Sequence, residues 1–232
     1  MGDGIYAALA GAKVCADKIE SIANNLANTQ TNGFKAERTS FSEVLRAGMD
    51  QSYVAMNGAT ADFSTGAMKH TGNPLDLAIN GHGFFVVEGR YGRGYTRAGN
   101  FTLNSQGILC TQDGDPVMGT SGLISIGRGE VKVGGDGSLT VNGKNAGRIK
   151  IVMPVRPELL VRRGKNLFSL PAGAEVIEAT GKLSQGYLET SNVKPVMEVT
   201  SLISMQRTFE LLVKTMRQFK EMDSQLSRQL RT

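Results

Sequence analysis

Ile5, Ala8, Ala12, Cys15, Ile19, Ile22 and Leu26 follow one another at alternating steps of three and four, with Lys13, Asp17, Lys18 and Glu20 between them. That heptad stripe predicts a helix from about Gly4 to Asn28, roughly 37 Å long at 1.5 Å per residue. The polar run from Asn28 to Gly33 stops it. The far end of the chain repeats the pattern in Leu202, Met205, Phe209, Leu212, Met216, Phe219, Leu226 and Leu230, interrupted by Asp223. Pro195 suits a first helical turn, where its missing N–H costs nothing. A second helix is therefore expected from Pro195 to Leu230, roughly 54 Å long. Each helix is apolar along one seam only, so each needs a partner. The simplest arrangement pairs the two ends of the chain as a coiled coil and packs that pair against neighbouring copies.

Between the helices the hydrophobic period changes to two. Strands are expected over 75–79, 83–88, 101–103, 108–111, 130–133, 139–141, 149–152 and 167–170. Turn signals separate them: Asn104 to Gly107, Asp113-Gly114, Gly134 to Gly137 and Asn142-Gly143. The expected fold is α+β. A Gly-rich, antiparallel, mainly β middle, built as a sandwich or open barrel, is flanked by N- and C-terminal heptad helices. The expected domains are a helical one from 1–33 and 193–232, a connecting segment over 34–72, and a β-rich one over 73–192. Within the connecting segment, Phe41, Val44 and Leu45 suggest a short helix, and Gly58 to Gly72 reads as loop.

Composition adds mainly exclusions. The chain is 40% hydrophobic, enough for a core, and its 29 glycines have no collagen period. The net charge of +5 and a pI near 9.3 raise the question of nucleic acid. The basic residues are dispersed, however, with one tight doublet at Arg162-Arg163 and no interleaved aromatics. Cys15 and Cys110 form no CxxC, and Cys15 sits on the apolar stripe as a small buried hydrophobe. A disulfide between the two stays open. His70 and His82 stand apart from any nucleophile motif or zinc spacing. Gly81-His82-Gly83 and Gly92-Arg93-Gly94 read as turns at strand edges, and Asp113-Gly114-Asp115 as a hairpin turn rather than a calcium loop. Catalytic residues, cofactors and metals are thus all expected to be absent. No stretch reaches the ~20 apolar residues of a membrane span. Residues 1–28 lack the basic, apolar and cleavage regions of a secretory signal.

The run from Ile22 through Asn24, Asn25, Leu26 and Asn28 to Gly33, Phe34 and Lys35 resembles the N-terminal signature of flagellar rod and hook proteins. Three further stretches resemble that family in the same order: Leu75 to Val87, Tyr95 to Gly107, and Gly186 to Val193 continuing to Gln206 through Glu210. The opening Gly4 to Leu9 and the short middle are closer to the proximal rod type, with the distal rod or a hook-type axial protein as the alternative. The end, Met222 to Thr232, runs past the usual stopping point of the distal type. The resemblance implies a non-enzymatic subunit of a hollow, periplasm-spanning rod that transmits torque. Its terminal helices would line the tube and its β domain would face outward. Implied partners are copies of itself, other rod and hook-family axial proteins, and the flagellar type III export apparatus, which uses an uncleaved signal. Neither nucleic acid nor membrane insertion is implied. Candidate assembly residues are Ile19, Ile22, Asn24, Asn25, Leu26, Asn28, Gly33 and Phe34 at one end. At the other they are Leu202, Met205, Phe209, Leu212, Met216 and Phe219. Two remote readings are a nucleic-acid-binding module, which would bind DNA in a salt-dependent way, and a peptidoglycan-acting enzyme, which would need two carboxylates in a cleft.

Overall fold

The computed structural model describes residues 2–45, 52–89, 92–127, 129–164 and 166–229. Leu230 of the predicted seam lies outside these residues, as do the side chains of Asp223 and Leu226. The chain divides into two compact units. The first gathers Met1–Ala27, Glu37–Asp62 and Lys194–Thr232; the second gathers Asn28–Ala36 and Phe63–Val193. The connecting segment expected over 34–72 is thus shared between them.

In the first unit, helix α1 spans Gly2–Ala27 and helix α2 spans Pro195–Gln229. Ala8, Ala12, Cys15 and Ile22 of the α1 stripe are buried. The two helices run antiparallel. A Cβ on Gly4 would lie 3.0 Å from Cζ of Phe219, and one on Gly11 would lie 3.4 Å from Cδ1 of Leu212. Further along, Asn25 Nδ2 is 3.4 Å from Glu198 Oε1. Each step along α1 is matched by an equal step back along α2, so the contact does not slip. Side-chain size explains the closeness: α1 offers Gly4, Ala8, Gly11 and Ala12 where α2 offers Phe219, Met216, Leu212 and Phe209.

The short helix expected at Phe41, Val44 and Leu45 is absent. Strand β1, Glu37–Leu45, pairs there with β2, Ser52–Ala61, in an antiparallel ribbon. The ladder shifts register between Ser40 and Phe41, leaving Asn57 without a partner residue opposite. That bulge interrupts the period-two signal. The ribbon's Thr, Tyr and Val content favours strand all the same. Part of the expected Gly58 to Gly72 loop is also strand: the end of β2, and β3 at Met68–His70.

In the second unit, β4 spans Leu77–Asn80, β5 Phe84–Gly89 and β6 Gly92–Thr96. Strands β5 and β6 are the centre of a six-stranded antiparallel sheet. On the β6 side follow Leu167–Ser169 and Val161–Arg162; on the β5 side follow Ile151–Pro154 and Val176–Glu178. Smaller sheets replace the expected second layer: 131–133, 138–141 and 144–148 form one, 102–103 pairs with 109–110, β4 pairs with 182–185, and β3 pairs with 187–189. Strands of two to five residues bounded by turns cannot extend into a full second sheet. The Gly92-Arg93-Gly94 run, expected as a turn, opens β6 instead. Gly94 has no room for a side chain, since a Cβ would sit 2.6 Å from Cδ1 of Leu167. The core is apolar and continuous, with Phe85, Val87, Ile79, Val117, Ile126 and Leu139 fully enclosed. Cys15 and Cys110 are both free and buried, so the disulfide left open by the sequence is not formed.

Candidate assembly surface and the chain junction

Asn25 is 2% exposed, inside the first unit. Its Nδ2 donates to Glu37 O at 2.9 Å, and its Oδ1 accepts from Glu37 N–H at 2.7 Å. One amide side chain thereby fixes both polar groups of the residue that opens β1. The bonding capacity of Asn25 is thus used within its own chain. Asn24, one position before it, is exposed. Ile22 is buried, while Ile19 and Leu26 are half-buried.

Asn28, Gly33 and Phe34 fall in the second unit, and all three are buried. Asn28 Oδ1 accepts from Thr31 Oγ1 at 3.1 Å. Gly33 has φ 66°, and a Cβ there would come within 2.2 Å of Ala98 N. Both conformation and space therefore demand glycine. Gly33 N–H donates to Glu189 O at 2.8 Å. The Phe34 ring is fully enclosed, with the Arg162 guanidinium 4.6 Å from its centroid. Arg162 also donates to the Lys35 carbonyl.

Next to Phe34 lies a charged group that the sequence reading does not single out. Lys35 and Glu189 have no side-chain exposure and meet at 2.6 Å. Lys35 Nζ also donates to Ser64 O at 2.6 Å, and Glu189 Oε1 accepts from Gly66 N–H at 2.8 Å. Arg97 Nε lies 3.6 Å from Glu189 Oε2. Its other nitrogens donate to Ile79 O at 3.3 Å and Gly81 O at 2.6 Å. Burial pushes the Arg97 guanidinium below its ordinary value, and the Glu189 charge opposes that shift. Removing one partner of such a buried pair costs about 3–5 kcal/mol, because the other charge is left uncompensated. The four motif stretches quoted above therefore converge: Lys35 comes from the first, Ile79 and Gly81 from the second, Arg97 from the third and Glu189 from the fourth.

Helix α2 presents the opposite situation. None of its residues with a described side chain is buried. Leu202, Met205, Phe209, Leu212, Met216 and Phe219 are half-buried along the seam. Off the seam, Val196 is 79% exposed, Met197 65% and Leu211 65%. On α1, Tyr6 and Leu9 are exposed as well. Large apolar side chains are thus exposed on both helices. His70 and His82 are exposed. Among the described residues, no group of His, Cys, Asp and Glu is arranged to hold a metal, and no helix is long and apolar enough to cross a membrane.

Residues 184–229 match the family described as flagellar basal body rod FlgEFG protein C-terminal, and residues 78–145 match the flagellar hook protein FlgE/F/G D1 domain. The chain is 36% identical over 227 residues to the flagellar basal-body rod protein FlgF of Caulobacter vibrioides, covering 93% of each chain. It is 32% identical over 234 residues to FlgF of Salmonella typhimurium, covering 92% of each. FlgG of Bacillus subtilis is 32% identical over 239 residues, with 89% of this chain and 90% of that protein covered. Likeness of this degree over about nine-tenths of the chain shows that it belongs to the flagellar basal-body rod protein family, as a structural subunit and not an enzyme.

Proposed function

We propose that this rod subunit assembles through its terminal helices, which pair as a coiled coil and then pack against the same helices of neighbouring subunits. The observation behind this reading is the exposed apolar surface of α2, led by Val196, Met197 and Leu211. A 35-residue helix with no buried residue among its described side chains is not satisfied by one partner helix. The unslipped antiparallel contact with α1 supports the coiled-coil part of the reading. The neighbours are copies of this chain and other rod or hook-type axial proteins, forming a tube across the periplasm with the second unit outward. A head-to-tail contact of this kind propagates without closing. Export by the flagellar type III apparatus, without a cleaved signal, completes the proposal. A proximal place in the rod is favoured by the relatives named FlgF at 36% and 33% identity.

Leu211→Asp tests the assembly surface. Leu211 is 65% exposed, so a charge there should leave the isolated subunit's unfolding free energy within about 0.5 kcal/mol of wild type. In the assembled tube the same charge is buried without a partner, costing several kcal/mol per contact. The expected result is a secreted, folded subunit and cells without rods or swimming. Motile cells with intact rods built from the variant contradict the assembly surface.

A further inference from the structure

The chain passes between its two units after residues 27, 36, 62 and 193. On the second unit's side, three of those passages have a member of one bonded cluster within two residues: Lys35, Ser64 and Asn192. Lys35 Nζ bridges Ser64 O and Glu189 Oε1, each at 2.6 Å. Asn192 Nδ2 donates to Ser64 O at 3.1 Å, and its Oδ1 accepts from Ala36 N–H at 2.7 Å. Glu189 Oε1 accepts from Gly66 N–H, and the Glu189 carbonyl from Gly33 N–H, both at 2.8 Å. Gly33 lies on the segment that follows the remaining passage.

A buried ion pair is a poor way to gain stability, since apolar side chains of the same shape often do as well or better. What an ion pair supplies is direction, because charged donors and acceptors hold particular atoms at short distances. Here the atoms held belong to separate segments, each about to leave the unit. We infer that the Lys35–Glu189 pair is a clasp that makes residues 33–36, 64–66 and 189–192 open only together. Torsion arriving through any one passage is then shared by all of them. The source of that torsion rests on the rod reading; the coupling is a property of the single chain.

Native-state hydrogen exchange on the purified full chain tests the clasp without any assembly. The amides of Gly33, Ala36 and Gly66 donate to Glu189 O, Asn192 Oδ1 and Glu189 Oε1. In the wild type they should show one shared protection, within about threefold, as members of a single cooperative unit. In Lys35→Met/Glu189→Gln, the glutamine still accepts from Gly66 and Arg97 keeps its two carbonyl partners. The three protections should then separate by roughly tenfold or more, the equivalent of one net hydrogen bond at the upper end of its range. The β5–β6 ladder should stay unchanged. Three unrelated protections in the wild type overturn the inference, as does a shared value that survives in the double variant. So does a ladder that loses protection by the same factor, because the pair would then be a general stabiliser. If the double variant does not fold, the wild-type measurement decides. Failure of the rod reading would instead show in the Leu211→Asp cells, leaving these exchange results in place.

Discussion

Asn25 lies in the last turn of α1 with its amide bonded in both directions to the peptide of Glu37. As a helix residue it is inferior to alanine by up to about 0.7 kcal/mol. Asn25→Ala recovers that amount but strands the half-buried N–H and C=O of Glu37, at about 1–3 kcal/mol. Net destabilisation of the helical unit in the monomer is therefore expected, read by urea unfolding at a helical wavelength. A variant helix more stable than wild type would show that the Glu37 bonds contribute nothing. Asn25→Asp keeps an acceptor but aims a negative oxygen at Glu37 O and Glu198 Oε1. It should be worse at neutral pH and partly recover as acid protonates the new carboxyl. The cluster of Asn24, Asn25 and Asn28 is visible in the sequence as an anomaly in a helix. Its role is not, because the partners of Asn25 lie 12 and 173 residues away. Lys35 and Glu189 were harder still. Each alone reads as a solvated charge, and burial makes sense only for the pair, 154 residues apart.

At the scale of elements, what was legible followed from periodicity. The bounds expected for α1 and α2 fall within about two residues of those found, because a heptad stripe survives without knowledge of its partner. The β1–β2 ribbon was misread because its stability lies in a backbone ladder with a bulge rather than in alternating side chains. The helix contact makes a paired prediction. Gly11 leaves 3.4 Å to Leu212, ordinary van der Waals distance, whereas Gly4 leaves 3.0 Å to the Phe219 ring. Gly11→Ala should therefore stabilise the helical unit by up to about 1 kcal/mol, the helix propensity gain. Gly4→Ala should gain less, because the ring must shift. Thermal unfolding of the two variants side by side checks the order; a larger gain at Gly4 would contradict the observed register.

For the whole molecule, neither unit is a continuous stretch of chain. The sequence reading joined the two chain ends but kept 34–72 as one connecting segment, because a composition shift marks where a pattern changes, not which segments later fold together. The core of the sheet unit, from Leu77 to Leu183, owes nothing to the helices. A chain ending at Val193 should accordingly keep the β5–β6 ladder protected from exchange while losing most of its helical circular dichroism. Collapse of the ladder on that truncation would show that the sheet depends on α2. The antiparallel register of Gly4 on Phe219 and Gly11 on Leu212 also bears on time. During synthesis α1 emerges long before α2, and the contacts between them are among the most distant in sequence described for the chain. Contacts of that separation form slowly. The stripe of Ala8, Ala12, Cys15 and Ile22 must therefore wait for its cover from α2 until the whole sheet unit has been made, and the contact between the helices forms after every strand between them exists.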